Sequence, residues 1–221
     1  GRESSRIAEN SLRIATVICL PMGVGLSVLS QPIMTVIYPG SHESGPELLL
    51  LMGAASFFVC MALMMNAILQ AGGNEKYPIY SMIIGGIVKI AVNWFLVADP
   101  GINILGAPIG TLSCYAVMCV MDYIFLCRVM PDRPKLGLIL ARPVLSCAAM
   151  GLTAWAVYGL SLRFIGVEPG RLIMALCMCL AIGAAVIVYL VLTVLTRAVT
   201  YEDMKLIPKG EKLARLLRIR P

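Results

Sequence analysis

Residues 78–98 read PIYSMIIGGIVKIAVNWFLVA, an apolar run of bilayer length with one ammonium, Lys89, near its middle and one amide, Asn93, a helical turn further on. An ammonium in hydrocarbon costs about 2.5–3.5 kcal/mol on insertion scales, so it should turn toward a protein interior or a wet cavity. Asn93 at i+4 shares its face. Ser81, Gly85, Gly86, Lys89 and Asn93 form one small and polar stripe, while Ile83, Ile84, Ile87, Ile90 and Ala91 look elsewhere. The stretch reads as a membrane-spanning helix with an inside and an outside.

The rest of the chain fits that reading. Hydrophobic residues make up 59% of it and charged residues 14%, and its mean hydropathy is +0.88, values of an integral membrane protein. A spanning helix needs about 20 mostly apolar residues, and six stretches qualify: 12–38, 47–70, 78–98, 104–128, 138–162 and 171–197. No series of alternating ten-residue segments suggests a barrel, so the fold class is all-α and polytopic. Residues 1–11, GRESSRIAENS, lack the apolar core of a signal peptide and are expected to be a polar connecting segment, with the chain a fragment missing its beginning. The expected organisation is this segment, a four-span block over 12–128, two further spans within 129–197 and a basic tail over 198–221.

Basic residues in the connections set the expected orientation. Arg2, Arg6 and Arg13 flank the first span, Lys76 lies in the second connection, and Arg128, Arg133, Lys135 and Arg142 surround the fourth. The first and third connections, 39–46 and 99–103, contain neither Lys nor Arg. Arg163 and Arg171 flank the fifth, with Glu168 between them, and the tail carries Lys205, Lys209, Lys212, Arg215, Arg218 and Arg220. Both termini should therefore be cytoplasmic. The net charge of +6 marks the inner face of a membrane and not a nucleic-acid surface. Residues 211–220, EKLARLLRIR, place leucines on one side and bases around them, a segment suited to anionic lipid.

Catalytic patterns are missing. The eight cysteines, Cys19, Cys60, Cys114, Cys119, Cys127, Cys147, Cys177 and Cys179, fall inside or at the ends of the spans, where thiols act as small apolar side chains; no C-x-x-C pair occurs in a loop. His42 is the single histidine. There is no G-x-S-x-G, P-loop or H-E-x-x-H. The expectation is a protein that is not an enzyme and uses neither cofactor nor metal.

Prolines and glycines say more. Pro21, Gly23, Gly25 and Pro32 interrupt the first span twice, making them hinge candidates, since broken spans are common in transporters; a static kink that shapes packing is the alternative. Gly106 and Gly110 give a small-x-x-x-small spacing suited to close helix approach. Asn66 and Gln70 lie four apart on the second span. Asp122 is about six residues, or roughly 9 Å, from the end of the fourth at the usual rise, placed either to pair with Lys89 or to snorkel to the interface. Lys89 itself is either a pathway residue or a structural partner for carbonyls or Asp122. Arg142, beside Pro143, reads as a snorkelling inner-face residue, with a lipid-phosphate contact as the sharper alternative. Trp94, Phe95, Trp155 and Tyr158 look like interface anchors.

Asn66–Gly73 (NAILQAGG) followed by NEKYP at 74–78, GGIVKIAVN at 85–93, PGINILGAPIG at 100–110 and YEDMKLIPKGEKLARLL at 201–217 together carry a family resemblance. The chain resembles the oligosaccharide flippases of the multidrug/oligosaccharidyl-lipid/polysaccharide exporter superfamily, particularly the stage V sporulation protein B-like polysaccharide transporters. The resemblance implies two six-helix lobes plus two further helices, of which this chain looks like spans nine to fourteen. It implies a bacterial cytoplasmic-membrane protein of polysaccharide or cell-wall biosynthesis that moves a polyprenyl-linked saccharide by alternating access. Its partners would be membrane lipids and the remaining N-terminal part of the transporter. Lys89 and Asn93 match the family pattern in place, whereas Gln31 stands where relatives carry an acidic residue. The last two spans correspond to helices that form a groove for the lipid tail. Candidate pathway residues are thus Lys89, Asn93, Asn66, Gln70, Asp122 and Gln31. The competing readings are a cation-coupled multidrug exporter of the same superfamily and a membrane accessory or scaffold subunit without transport of its own.

Overall fold

The structure, a computed structural model, describes residues 2–38, 40, 44–130, 136–165 and 170–196. The basic tail, His42, Arg133, Lys135 and Glu168 lie outside the described residues. Among the described residues seven α-helices follow in order: α1 Arg2–Val28, α2 Ser30–Ile37, α3 Gly45–Ala71, α4 Lys76–Val97, α5 Gly106–Val129, α6 Leu136–Ile165 and α7 Arg171–Leu195, with a 3₁₀ turn at Asn103–Leu105 before α5. The described residues form no strand. Six helical segments among the described residues are long and apolar enough to cross a membrane, five of them within about a turn of the expected bounds.

The first span departs from expectation. It lies at Ser5–Val28, because α1 begins at Arg2 and the supposed connecting segment forms its first turns. Ser5, Ala8, Leu12, Ala15 and Thr16 are buried at helical spacing, an apolar stripe hidden among Arg6, Glu9 and Arg13. Of the two expected interruptions only one occurs. The helix persists through Pro21 and breaks at Leu29, where φ is −96° and ψ 16°. Pro32 explains the break: it has no N–H for the Val28 carbonyl and its ring crowds the preceding turn. Pro21 equally orphans the carbonyl of Val17, but the Tyr189 hydroxyl of α7 donates to that oxygen at 2.6 Å. The missing backbone donor is thus replaced from another helix.

Side by side, the helices run α4, α5, α3, α1, α6, α7, with α2 wedged against α3 and α7. One core gathers Leu12, Met61, Ala62, Met65, Leu69, Cys114, Met118, Cys119 and Leu126 from α1, α3 and α5. The other gathers Leu20, Leu29, Cys147, Met150, Ala154, Ala185 and Tyr189 from α1, α6 and α7 with the Leu29 corner. α1 belongs to both. It meets α3 through glycines: a methyl added at Gly23 would lie 2.7 Å from the Gly53 carbonyl oxygen, and Ser27 donates to the Leu50 carbonyl at 2.9 Å. Such close approach compensates for the absence of a hydrophobic drive between helices in lipid. Gly23 is therefore a contact residue, whereas Gly25 faces open space.

A tight reversal joins α3 to α4. Gly73 has φ +75°, Gly73 N–H bonds to Gln70 O at 2.9 Å, and Asn74 N–H bonds to Leu69 O at 3.0 Å, a Schellman motif that only glycine fits without strain. α4 then runs antiparallel to α5. A methyl at Gly85 would lie 2.6 Å from Met118 Cγ, and one at Gly106 would lie 2.9 Å from Val97 N. Gly86 faces open space, so it leaves the polar stripe to which the sequence pattern assigned it.

Two stability outcomes follow from these contacts. Tyr189→Phe should leave the Val17 carbonyl unsatisfied and cost about 1–3 kcal/mol, read as a lower melting temperature of the purified protein in detergent. Gly85→Leu should cost about 1–3 kcal/mol through overpacking against Met118, while Gly86→Leu, one position on, should not lower the melting temperature at all.

Candidate functional site

The polar stripe of α4 faces α5, and the antiparallel register sets what each member meets. Every step of four residues along α4 is a step of four back along α5. Ser81 is fully buried, and its hydroxyl is hydrogen-bonded with Asp122 Oδ1. Gly85 lies on Met118 and the Cys114 carbonyl. Lys89 is half-buried and close enough to Cys114 to interact electrostatically with it. Asn93 lays its amide over Gly110, whose lack of a Cβ makes the room. Ile83, Ile84, Ile87 and Ile90 are exposed, as are Trp94 and Phe95 near the end of the helix. Apart from Gly86, the inside and outside expected of this helix are those observed.

Of the two expected surroundings, protein interior and wet cavity, the first is observed. The seam is occupied by a neighbouring helix over most of its length, not by a wet cavity. The Lys89–Asp122 pair does not form: Asp122 meets Ser81, two turns of α4 away from Lys89, or about 12 Å at the usual rise. Snorkelling does not occur either, since Asp122 is 0% exposed. Among the described residues no carboxylate pairs with Lys89. Asn93 Oδ1 is buried without a hydrogen-bond partner, and Asn93 also lines a shallow groove with Ile90, Trp94, Val97 and Ala98. Lys89 and Asn93 thus sit together on the seam as a charged donor and an unused acceptor.

A second polar site lies toward the α3 end of α4. The Cys119 thiol of α5 donates to Phe58 O at 3.1 Å on α3. One turn further along these parallel helices, Asp122 and Tyr123 follow Cys119 on α5 and Ala62 follows Phe58 on α3, with Asn66 a further turn along. Asn66 is 7% exposed, and its Oδ1 is buried and unpartnered, as is Oδ2 of Asp122. The stacked rings of Tyr77 and Phe125, centroids 4.7 Å apart, close the next level between α4 and α5.

Other candidates are scattered. Gln70 is exposed at the end of α3 and Gln31 is exposed on α2, neither beside Lys89. Arg142 is exposed on α6 ahead of the buried Pro143, and its carbonyl accepts from Ser146 at 3.3 Å. All eight cysteines are free thiols, and no group of three potential metal ligands gathers among the described residues. Tyr189 and Ser81 carry the polar contacts that sequence reasoning missed. The signal for Tyr189 was the carbonyl that Pro21 must orphan; that for Ser81 was its match with Asp122 in the antiparallel register.

Comparison with known proteins agrees with this membrane architecture. The profile of the family described as lipid II flippase MurJ matches residues 2–168. A curated relative, the lipid II flippase MurJ of Bacillus subtilis (strain 168), is 27% identical over 183 residues, covering 77% of this chain and 32% of the relative. The chain thus spans about a third of the length of the curated relative it matches. No solved structure matches. The matches fall in the flippase superfamily of the motif resemblance and carry no sporulation-specific assignment. This multi-pass membrane chain belongs to the lipid II flippase MurJ family.

Proposed function

We propose that the chain forms the C-terminal part of a flippase that moves a lipid-linked cell-wall precursor across the cytoplasmic membrane by alternating access, without covalent chemistry. The observation that carries this reading is Lys89: an ammonium in a membrane-spanning helix, half-buried on the α4–α5 seam and lacking a carboxylate partner among the described residues. Charges at such depth are costly and mark substrate or ion pathways. Lys89 attracts the pyrophosphate of the headgroup, and Asn93 Oδ1 accepts from its sugar hydroxyls. The relative's name supports a lipid II-like substrate; a related polyprenyl-linked oligosaccharide uses the same groups.

The seam is closed over Ser81, Gly85 and Asn93, so Lys89 must be presented in one state more than in the other. A ligand shifts such an equilibrium only by its differential affinity for the two states. Both ends of the segment lie on the cytoplasmic side in this reading, and exposed apolar residues of α6 and α7, among them Leu152, Leu172 and Leu176, accompany the lipid tail in the bilayer. The remaining N-terminal part of the transporter supplies the opposing wall of the pathway.

Lys89→Ala in the full-length protein should abolish growth complementation in cells depleted of their own lipid II flippase, while membrane insertion and abundance stay at the unsubstituted level. Lys89→Arg, which keeps the charge, should restore part of the growth. Undiminished complementation by a stably inserted Lys89→Ala protein would remove the lysine from the pathway.

A further inference from the structure

Where α4 meets α5 at Ser81 and Asp122, one hydroxyl hydrogen faces several acceptors. The Ser81 hydroxyl has one hydrogen, yet three oxygens surround it: Tyr77 O at 3.2 Å, Pro78 O at 3.1 Å and Asp122 Oδ1. Asp122 Oδ2 is buried as well, and it has no donor. An ionised carboxylate is acceptor-only and worsens this shortage, whereas a carboxylic acid brings one O–H. Asp122 is 0% exposed in a membrane-spanning helix, where an unpaired charge is expensive. Among the described residues no cation pairs with it: Lys89 is two turns away along α4, and Lys76 opens that helix more than a turn before Ser81.

We infer that Asp122 is a proton-binding site, a neutral carboxylic acid whose hydrogen is donated to Ser81 Oγ and holds α4 against α5. Ser81 then gives its own hydrogen to the Tyr77 or Pro78 carbonyl, so each of these two bonds has one donor and one acceptor. The proton comes from water and returns to it, with no other group changed. Its loss leaves an anion against Ser81 with no second donor, which weakens the contact between the two helices that carry Lys89, Asn93 and Gly110. The titratable groups flanking the contact are Cys119 and Tyr123 on α5 and Lys76, Tyr77 and Lys89 on α4; α3 carries Glu47 near its start and Cys60, whose thiol lies against Cys19 of α1. The inference concerns the acid itself and stands apart from the transport role of Lys89.

Infrared spectroscopy of the purified full-length protein at neutral pH tests it. The spectrum should contain a protonated carboxyl stretch, sensitive to hydrogen–deuterium exchange, that is absent from Asp122→Asn. Loss of a carboxylate band alone would overturn the proposal. The linkage has a definite sign: the folded protein holds a proton that the unfolded chain gives up to water, so the melting temperature should fall as pH rises. Asp122→Asn keeps the shape and stays neutral, so this dependence should flatten. Equal pH dependence in both proteins, or stabilisation by sodium with the carboxylate ionised, would overturn the site. Should Asp122→Asn fail to fold, Ser81→Ala decides: the acid band should persist at a shifted frequency, and an unshifted band refutes the contact.

Discussion

Hydrocarbon offers no hydrogen bonds, so every polar group placed in it must be satisfied by the protein itself. Pro21 makes this constraint visible, because it deprives Val17 of its donor and the structure supplies Tyr189 from a helix far along the chain. That one bond keeps α1 continuous and ties α7 to it. α1 in turn is the element shared by both cores. Serines and threonines follow the same rule locally: Thr16 donates to Leu12 O at 2.8 Å, and Thr153 to Ala149 O at 2.8 Å. Where Pro32 has no such substitute, the helix breaks at Leu29 and the chain turns into α2.

Close helix approach is the second determinant, and it decides which polar groups meet. Lipid tails are as apolar as leucine, so dispersion and hydrogen bonds must hold the spans together. Gly23 and Gly53 bring α1 to α3; Gly85, Gly106 and Gly110 bring α4 to α5. With α4 drawn in to this distance, Ser81 reaches Asp122 and Asn93 lies across bare glycine backbone. The same contact covers most of the polar stripe, which is why the lysine and amide lie on a closed seam and not on an open cavity wall. The transport proposed for the whole protein would require the α4–α5 contact to differ between states, and the seam holds the polar groups that such a change would expose.

The amino-acid sequence carried the class, the number of spans and most of their bounds, because apolar length is a local property and the bilayer fixes its value. It carried the facing of α4, since residues spaced three and four apart must share a side. It marked Lys89, Asn93, Asn66 and Asp122 as costly groups within spans. Its misreading of residues 1–11 came from weighing Arg2, Glu3, Arg6 and Glu9 as a polar segment, when the apolar stripe from Ala8 to Ala15 already had helical spacing. Partners across helices were beyond its reach. Whether Asp122 met Lys89 or Ser81 depended on the axial offset of α4 and α5, and that offset is set by where Gly85, Gly106 and Gly110 let the two backbones close. Likewise Pro21 announced an orphaned carbonyl, but only the packing of α7 on α1 decided that Tyr189 would fill it, since a hydrogen bond depends on distances that no local pattern encodes.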